Sequence, residues 1–101
     1  MNKKQQFLQT IDSKRDVLKK LGIKELGLFG SVQRGDDKED SDIDILVEFL
    51  PGSKCFDSLY ELHELLSTSL KCDIDLVTKK SLSPIIGYKI LKEVDYVQIT
   101  A

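Results

Sequence analysis

The stretch that decides the fold runs from residue 30 to residue 49 and reads GSVQRGDDKEDSDIDILVEF. Its last part, DIDILVEF at 42–49, is rich in β-branched and aromatic residues and indicates a strand. Acid and isoleucine alternate in the first half of this strand, so Asp42 and Asp44 lie on one face, about 6.6 Å apart along the backbone. The two isoleucines take the opposite face, which we expect to be buried. The strand therefore carries paired carboxylates on a rigid support.

Helices and strands alternate on both sides of this stretch. Residues 3–21 predict an amphipathic helix, with Leu8 and Val17 widening its apolar stripe and Gly22 ending it. The polar segment 32–41 predicts a short helical turn and then a loop exposed to solvent. The remaining predicted elements are a strand at 25–29, a turn at Pro51-Gly52, a helix at 55–69, a strand at 72–78, a helix from Ser83-Pro84 to Glu93, and an edge strand at 96–99.

The lengths of the connections predict the topology. The segment between 29 and 42 is too short for a full crossover helix, so the first two strands should be antiparallel. The segment between 49 and 72 holds a full helix, which suits a parallel pair. We expect an α+β fold in which helices pack on a small mixed sheet, with residues 1–101 forming a single domain.

Composition and charge exclude several classes of protein. The chain is 41% hydrophobic and 32% charged, as in ordinary globular domains, and its formal net charge of −2 makes nucleic acid an unexpected partner. The first ten residues, MNKKQQFLQT, lack the apolar run of a signal peptide, and no stretch is long and apolar enough to cross a membrane. We therefore expect a cytoplasmic protein.

The paired carboxylates suggest a metal centre. Two carboxylates held side by side repel each other unless a cation lies between them. Mg²⁺ prefers oxygen ligands, and carboxylates with this spacing can hold two ions about 3.5–4 Å apart for displacement at phosphorus. The alternative is a D-x-D strand whose polar face is simply solvated. A second acidic strand, with Asp73 and Asp75 on one face, argues for the metal, and either acid would complete a cluster of three.

Gly30-Ser31 lies where a strand becomes a turn. Glycine allows close approach of the backbone to a ligand, while the serine hydroxyl and nearby amides can hold phosphate oxygens. Arg34 could face the same phosphates as a bidentate donor. Taken alone, Gly-Ser at the end of a strand is a common turn, and the stretch is neither a P-loop nor a GxGxxG motif.

Gly30-Ser31, ten residues and then Asp42-x-Asp44 together resemble the signature of the DNA-polymerase-β-like nucleotidyltransferase superfamily. The longer string, with Arg-Gly at 34–35, resembles its minimal nucleotidyltransferase (MNT) branch. In that family an acid followed by Leu-Val is typical of the third carboxylate, which points to Asp75.

This resemblance implies a polymerase-β-like palm fold and the transfer of AMP from ATP to a hydroxyl, with Mg²⁺ as cofactor. By the family pattern, Gly30, Ser31 and Arg34 would bind the nucleotide, while Asp42, Asp44 and Asp75 would be catalytic and hold the metal. Members of the branch are often antitoxins that attach AMP to a tyrosine of a helical HEPN toxin. We expect such a partner, or a second copy in a homo-oligomer, to complete the acceptor site.

Two other functions remain open at this stage. One is a non-catalytic module that binds nucleotide and silences its partner by contact. The other is a transferase for a small molecule such as an aminoglycoside, with a helical partner subunit supplying the pocket. The sequence predicts the group that is transferred better than the acceptor that receives it.

Overall fold

A computed structural model describes residues 2–52 and 55–100 of the chain. Five helices, four strands and one 3-10 turn follow one another in it. They are α1 (Lys3–Ser13), α2 (Arg15–Lys20), β1 (Ile23–Phe29), α3 (Gly30–Arg34), β2 (Ile43–Phe49), α4 (Cys55–Leu70), β3 (Ile74–Thr78), the 3-10 turn (Lys79–Ser81), α5 (Pro84–Glu93) and β4 (Asp95–Gln98).

The four strands form one mixed sheet in the order β3-β2-β1-β4. β1 is antiparallel to both β2 and β4, whereas β2 and β3 are parallel and are joined through α4. This arrangement confirms the predicted α+β class, the antiparallel first pair and the parallel second pair. The strand that carries Asp44 therefore lies inside the sheet, between two neighbours that fix its position.

The predicted helix over 3–21 is wrong in one respect, because the chain forms two helices that meet at Lys14. The backbone of Lys14 leaves the helical region (φ −109°, ψ 14°), and the Ser13 hydroxyl donates to the carbonyl of Thr10 at 3.1 Å. Local side-chain bonds of this kind compete with the helical ladder. Leu8 and Val17 are exposed rather than buried, because each lies next to the buried face of its own helix, which Phe7 and Ile11 form in α1 and Leu18 forms in α2.

The other boundaries differ from the predictions by one or two residues. Gly22 adopts the left-handed conformation (φ 80°) just after α2, as expected for the residue that ends a helix. The helical turn near the Gly-Ser pair begins at Gly30 itself and ends before Gly35, and the loop that follows leads directly to β2. In consequence, Asp42 is the last residue of this loop.

The core lies between one face of the sheet and the helices α1, α2 and α4. It contains buried side chains from these helices and from the three longest strands, and those of β1 and β2 are the most deeply buried. Representative members are Phe7, Ile11, Leu18, Ile23, Leu28, Ile43, Ile45, Leu62 and Leu66. Ile43 and Ile45 thus face the core as predicted, and the alternation of the strand turns Asp44 to the opposite face. No helix in the described ranges is long and apolar enough to span a membrane.

Candidate active site

The register of the sheet brings carboxylates from two strands side by side. In the parallel β2–β3 pair, Asp44 lies directly opposite Asp75. Neighbouring strands are about 4.8 Å apart, so these two side chains leave the sheet next to each other. Asp42 lies two residues before Asp44, immediately before β2. The geometry expected from the sequence did not decide whether Asp73 or Asp75 is the third carboxylate of the cluster. The register puts Asp75 beside Asp44.

Electrostatics show that these acids form one cluster. Partial burial raises the pKa of Asp44 above its ordinary value, and the charges of Asp75 and Asp42 raise this pKa further. The charge of Arg34 acts in the opposite direction. Asp42 and Asp75 are therefore close enough to Asp44 to destabilise its charged form, which is the situation that a bound cation would relieve.

The donor set fits Mg²⁺ in its chemistry. All three acids offer carboxylate oxygens, which are the ligands that this hard cation prefers. Within the described ranges no three His, Cys, Asp or Glu side chains converge on one point as a preformed metal site. The backbone register does place Asp44 beside Asp75, with Asp42 two residues before Asp44. Residues Asp42, Asp44 and Asp75 would hold the ion.

The close approach of the Asp44 side chain requires a glycine at position 30. Gly30 adopts φ 76°, and a Cβ at this position would overlap the Oδ2 atom of Asp44 and lie 3.0 Å from its Cγ. Any other residue would therefore meet both backbone strain and a steric clash with the carboxylate. The sequence predicted a close approach at this glycine, and the group that approaches is the aspartate itself.

Arg34 lies at the end of α3 and contacts two carboxylates. Its Nη1 atom is 3.2 Å from Glu93 Oε2 and its Nε atom is 3.3 Å from Asp36 Oδ2. Hydrogen bonds to Asp36 and Glu93 raise the pKa of Arg34 further. The guanidinium predicted to face phosphate is thus near the cluster, and in this structure it faces acids of the chain.

Glu93 is a member of the site that the sequence analysis missed. Its Oε1 atom accepts a hydrogen bond from the Gly30 amide at 3.2 Å, and its charge also raises the pKa of Asp44. Only the packing of α5 against α3 brings it here, across 63 residues of sequence. One local signal was available. An acid in the last turn of a helix opposes the helix dipole and so needs another reason to be there.

Lys3 is a second missed residue, and it holds the loop before Asp42. Its ammonium donates to the backbone carbonyls of Lys38, Glu39 and Ser41 at 3.0, 3.1 and 2.6 Å. All three protons of the ammonium are therefore used by one loop. Ser41 adds an internal bond, since its hydroxyl accepts from the Lys38 amide at 2.8 Å. The loop predicted to be merely solvated is thus tied to α1.

Comparison with known proteins identifies the family of this chain. The sequence model of the nucleotidyltransferase domain family matches residues 11–99. The chain belongs to the nucleotidyltransferase domain family. The match includes the Gly-Ser pair and both acidic strands, so the family resemblance seen in the sequence is confirmed, and the protein is an enzyme of the nucleotidyltransferase class.

Two named relatives are similar to this chain over most of its length. The protein adenylyltransferase MntA of Thermococcus cleftensis is 44% identical over 86 residues, which cover 83% of this chain and 84% of the relative. A Methanocaldococcus jannaschii protein assigned as a protein adenylyltransferase, MJ0435, is 41% identical over 80 residues, covering 76% of this chain and 82% of that protein. The nucleotidyltransferase domain is thus similar to known relatives over most of their length.

Solved structures confirm the fold. A chain assigned as a minimal nucleotidyltransferase superposes with a TM-score of 0.78 at 27% identity, covering 94% of this chain and 95% of that one. The toxin–antitoxin structure with AMP-PNP superposes with a TM-score of 0.67 at 23% identity, covering 95% of this chain and 72% of that one. The mixed sheet with its helices is therefore the nucleotidyltransferase fold.

Proposed function

We propose that this nucleotidyltransferase moves AMP from ATP to a hydroxyl of a partner protein, with Mg²⁺ held by Asp42, Asp44 and Asp75. The observation that carries the proposal is the register that sets Asp44 beside Asp75, next to Gly30-Ser31. The acceptor is a tyrosine of a helical HEPN-type toxin, and the modification silences that toxin. The name of the Thermococcus relative, a protein adenylyltransferase, supports the choice of AMP and of a protein acceptor.

The reaction forms one bond to the α-phosphorus and breaks another. The acceptor oxygen attacks the α-phosphorus of ATP while the bond from that phosphorus to the bridging oxygen breaks, and pyrophosphate leaves. The acceptor hydroxyl loses its proton to a carboxylate of the cluster, a role that we assign to Asp75. The role of Mg²⁺ is to neutralise the charge that develops on the phosphate oxygens.

The main contribution of the chain's residues is to position the reacting groups. Gly30 and Ser31 hold phosphate oxygens at the end of β1, and Arg34 offers a guanidinium beside them. Asp44 and Asp75 stand on neighbouring strands whose backbone is fixed by the sheet, and Asp42 directly precedes the first of them. Catalysis then rests on positioning and on charge neutralisation, which are the main contributions of protein groups in phosphoryl-group chemistry.

Toxin–antitoxin structures with this fold support the partner class. A complex of MntA with HepT superposes with a TM-score of 0.60 at 22% identity, which speaks for a shared fold. The Thermococcus relative, which is 44% identical to this chain, shares the name MntA with one member of that toxin–antitoxin pair, and this supports a toxin as the partner. The alternative prediction is that a second copy of the chain completes the acceptor site.

The proposal is tested by incubating the protein with Mg²⁺, a helical HEPN-type partner and ATP labelled at either the α- or the γ-phosphate. Transfer of α-label and not γ-label to the partner is expected, and it should disappear in the Asp42→Asn/Asp44→Asn variant. The partner's candidate tyrosines changed to phenylalanine serve as the control for the acceptor.

Two other results would contradict the proposal in distinct ways. Tight association with the partner and no transfer of label would indicate the non-catalytic binding module. Transfer of label to a small hydroxylated molecule such as an aminoglycoside, with the partner left unlabelled, would indicate the small-molecule transferase.

A further inference from the structure

A carboxylate of the chain contacts the groups that the proposed function assigns to phosphate. One oxygen of Glu93, Oε1, accepts from the Gly30 amide at 3.2 Å and lies 3.3 Å from Nη1 of Arg34. The other oxygen, Oε2, lies 3.2 Å from the same Nη1 atom. Two donors from separate parts of α3 therefore converge on a single anionic group. A phosphate, which also offers several oxygens on one anionic centre, has the same requirements.

The charges around Glu93 do not favour a permanent place for its carboxylate beside the aspartates. Asp44 lies close enough for the charge of Glu93 to act on it, and Arg34 is the cation among the groups that act on Asp44. With Glu93 paired to Arg34, the positive charge available to an incoming triphosphate is neutralised. Both side chains are partly exposed, at 49% for Arg34 and 33% for Glu93, so solvent and ligand can reach this pair.

We propose that Glu93 is an internal competitor of the phosphates of the nucleotide. In the nucleotide-free protein its carboxylate occupies the Gly30 amide and the Arg34 guanidinium, and binding of a nucleoside triphosphate displaces it. This inference rests on the proposed function, because it takes Gly30 and Arg34 as donors to the triphosphate. It adds a residue that sets nucleotide affinity and that the family signature does not include.

The surroundings of Glu93 indicate how it moves. The next residue, Val94, packs against the face of Gly27, where a Cβ would overlap its Cγ2 atom. Asp95 is held by Lys4 at 3.2 Å and by Gln33 at 3.2 Å. The two residues that follow Glu93 are thus held in place, so we expect the carboxylate to be displaced by rotation of the Glu93 side chain, with the helix unmoved.

The test is a calorimetric titration of the full chain with the Mg²⁺ complex of AMP-PNP. Glu93→Gln keeps the size of the side chain and removes the competing charge, so it should lower the Kd by roughly two- to fivefold, the range given by losing a partly exposed ion pair. Arg34→Gln should raise the Kd. In the Arg34→Gln background, the further change Glu93→Gln should have a clearly smaller effect, because most of the competition is already gone.

Two controls keep the result specific. Glu61→Gln changes the net charge equally on the exposed face of α4 and should leave the Kd unchanged. Glu93→Ala also removes the carboxylate, and alanine favours helix, so this variant should bind the nucleotide more tightly as well. It replaces Glu93→Gln in the titration if that variant does not fold. The thermal unfolding of each variant reports whether it is folded.

The outcomes separate this inference from the proposed function. If the wild-type protein binds AMP-PNP and the Glu93 variants bind it equally or more weakly, Glu93 is a supporting residue and the inference is wrong. If neither the wild-type protein nor any folded variant binds the nucleotide, the proposed function itself is contradicted.

Discussion

Asp44 occupies a position that disfavours its charged form. Partial burial raises the pKa of its carboxyl above the ordinary value of 3.8, and the charges of Asp75 and Asp42 add to this. The folded protein therefore holds this proton more tightly than the unfolded chain does. The stabilising contribution of protonated Asp44 is complete below the ordinary pKa and is lost as the pH rises through the raised pKa. At neutral pH the ionised carboxylate thus lowers the free energy of unfolding.

Asp44→Asn should therefore melt at a higher temperature than the wild-type protein in metal-free buffer at neutral pH. The difference in Tm should shrink as the pH falls and should vanish below 3.8, the ordinary pKa of the side chain. Thermal unfolding followed by circular dichroism across this range is the measurement. Asp40→Asn, on the exposed loop, is the control and should show no such trend. A Tm difference that does not change with pH would contradict the electrostatic explanation.

Gly30 and Gly52 form a matched pair for testing the contact with Asp44. Both have positive φ values, 76° and 84°, yet a Cβ would overlap Asp44 only at Gly30 and would have open space at Gly52. Each change to alanine should cost about 1 kcal/mol of stability or more through backbone strain. Only Gly30→Ala should also reduce transfer, by at least about tenfold, because it displaces a group of the reaction centre. Equal activity in the two variants, measured as initial rates, would contradict the assigned contact.

At the scale of secondary-structure elements, the loop between α3 and β2 depends on α1. Lys3 binds three of its backbone carbonyls and so fixes the approach of the chain to Asp42. Lys3→Gln should weaken Mg²⁺ binding on the order of tenfold, as expected when a residue that orients metal ligands is lost. The Mg²⁺ concentration for half-maximal activity measures this effect, and Lys3→Arg should restore part of it.

Lys4→Gln is the matched control for this prediction. Lys4 is the next residue of α1, and it pairs with Asp95 of β4 instead of with the loop. Its loss should change the Mg²⁺ requirement little. A similar shift in both variants would show that the charge of α1, and not the hold on the loop, is responsible.

The elements that carry the site were predictable because their patterns are local. Alternation at 42–49 predicted the common face of Asp42 and Asp44, and the helix between β2 and β3 predicted that these two strands are parallel. The register that sets Asp75 rather than Asp73 beside Asp44 came from the structure, because strand direction alone does not fix it. The break at Lys14 was not predictable, because the apolar spacing continues across it. Glu93 and Lys3 were missed because their roles arise from contacts between elements that are far apart in sequence.

For the molecule as a whole, α1 and α4 share one core with the sheet. Phe7 of α1 and Leu66 of α4 are both fully buried in the same cluster as Ile45 of β2. A single domain, as the sequence predicts, should unfold in one cooperative transition. Phe7→Ala should lower the stability by about 3–5 kcal/mol. Calorimetry that shows α1 melting separately, with the sheet still folded, would contradict the single domain.

The most direct test of the carboxylate cluster compares two neighbouring acids of the same strand region. Asp75 lies opposite Asp44, whereas Asp73 precedes β3 and uses its carbonyl to accept from the Ile43 amide at 3.1 Å. The measurement is the initial rate at which α-label passes from ATP to the partner in the presence of Mg²⁺. Asp75→Asn should reduce this rate on the order of 100-fold or more, while Asp73→Asn should stay near the wild-type rate. Full activity in Asp75→Asn, or a loss confined to Asp73→Asn, would contradict a metal centre built from Asp42, Asp44 and Asp75.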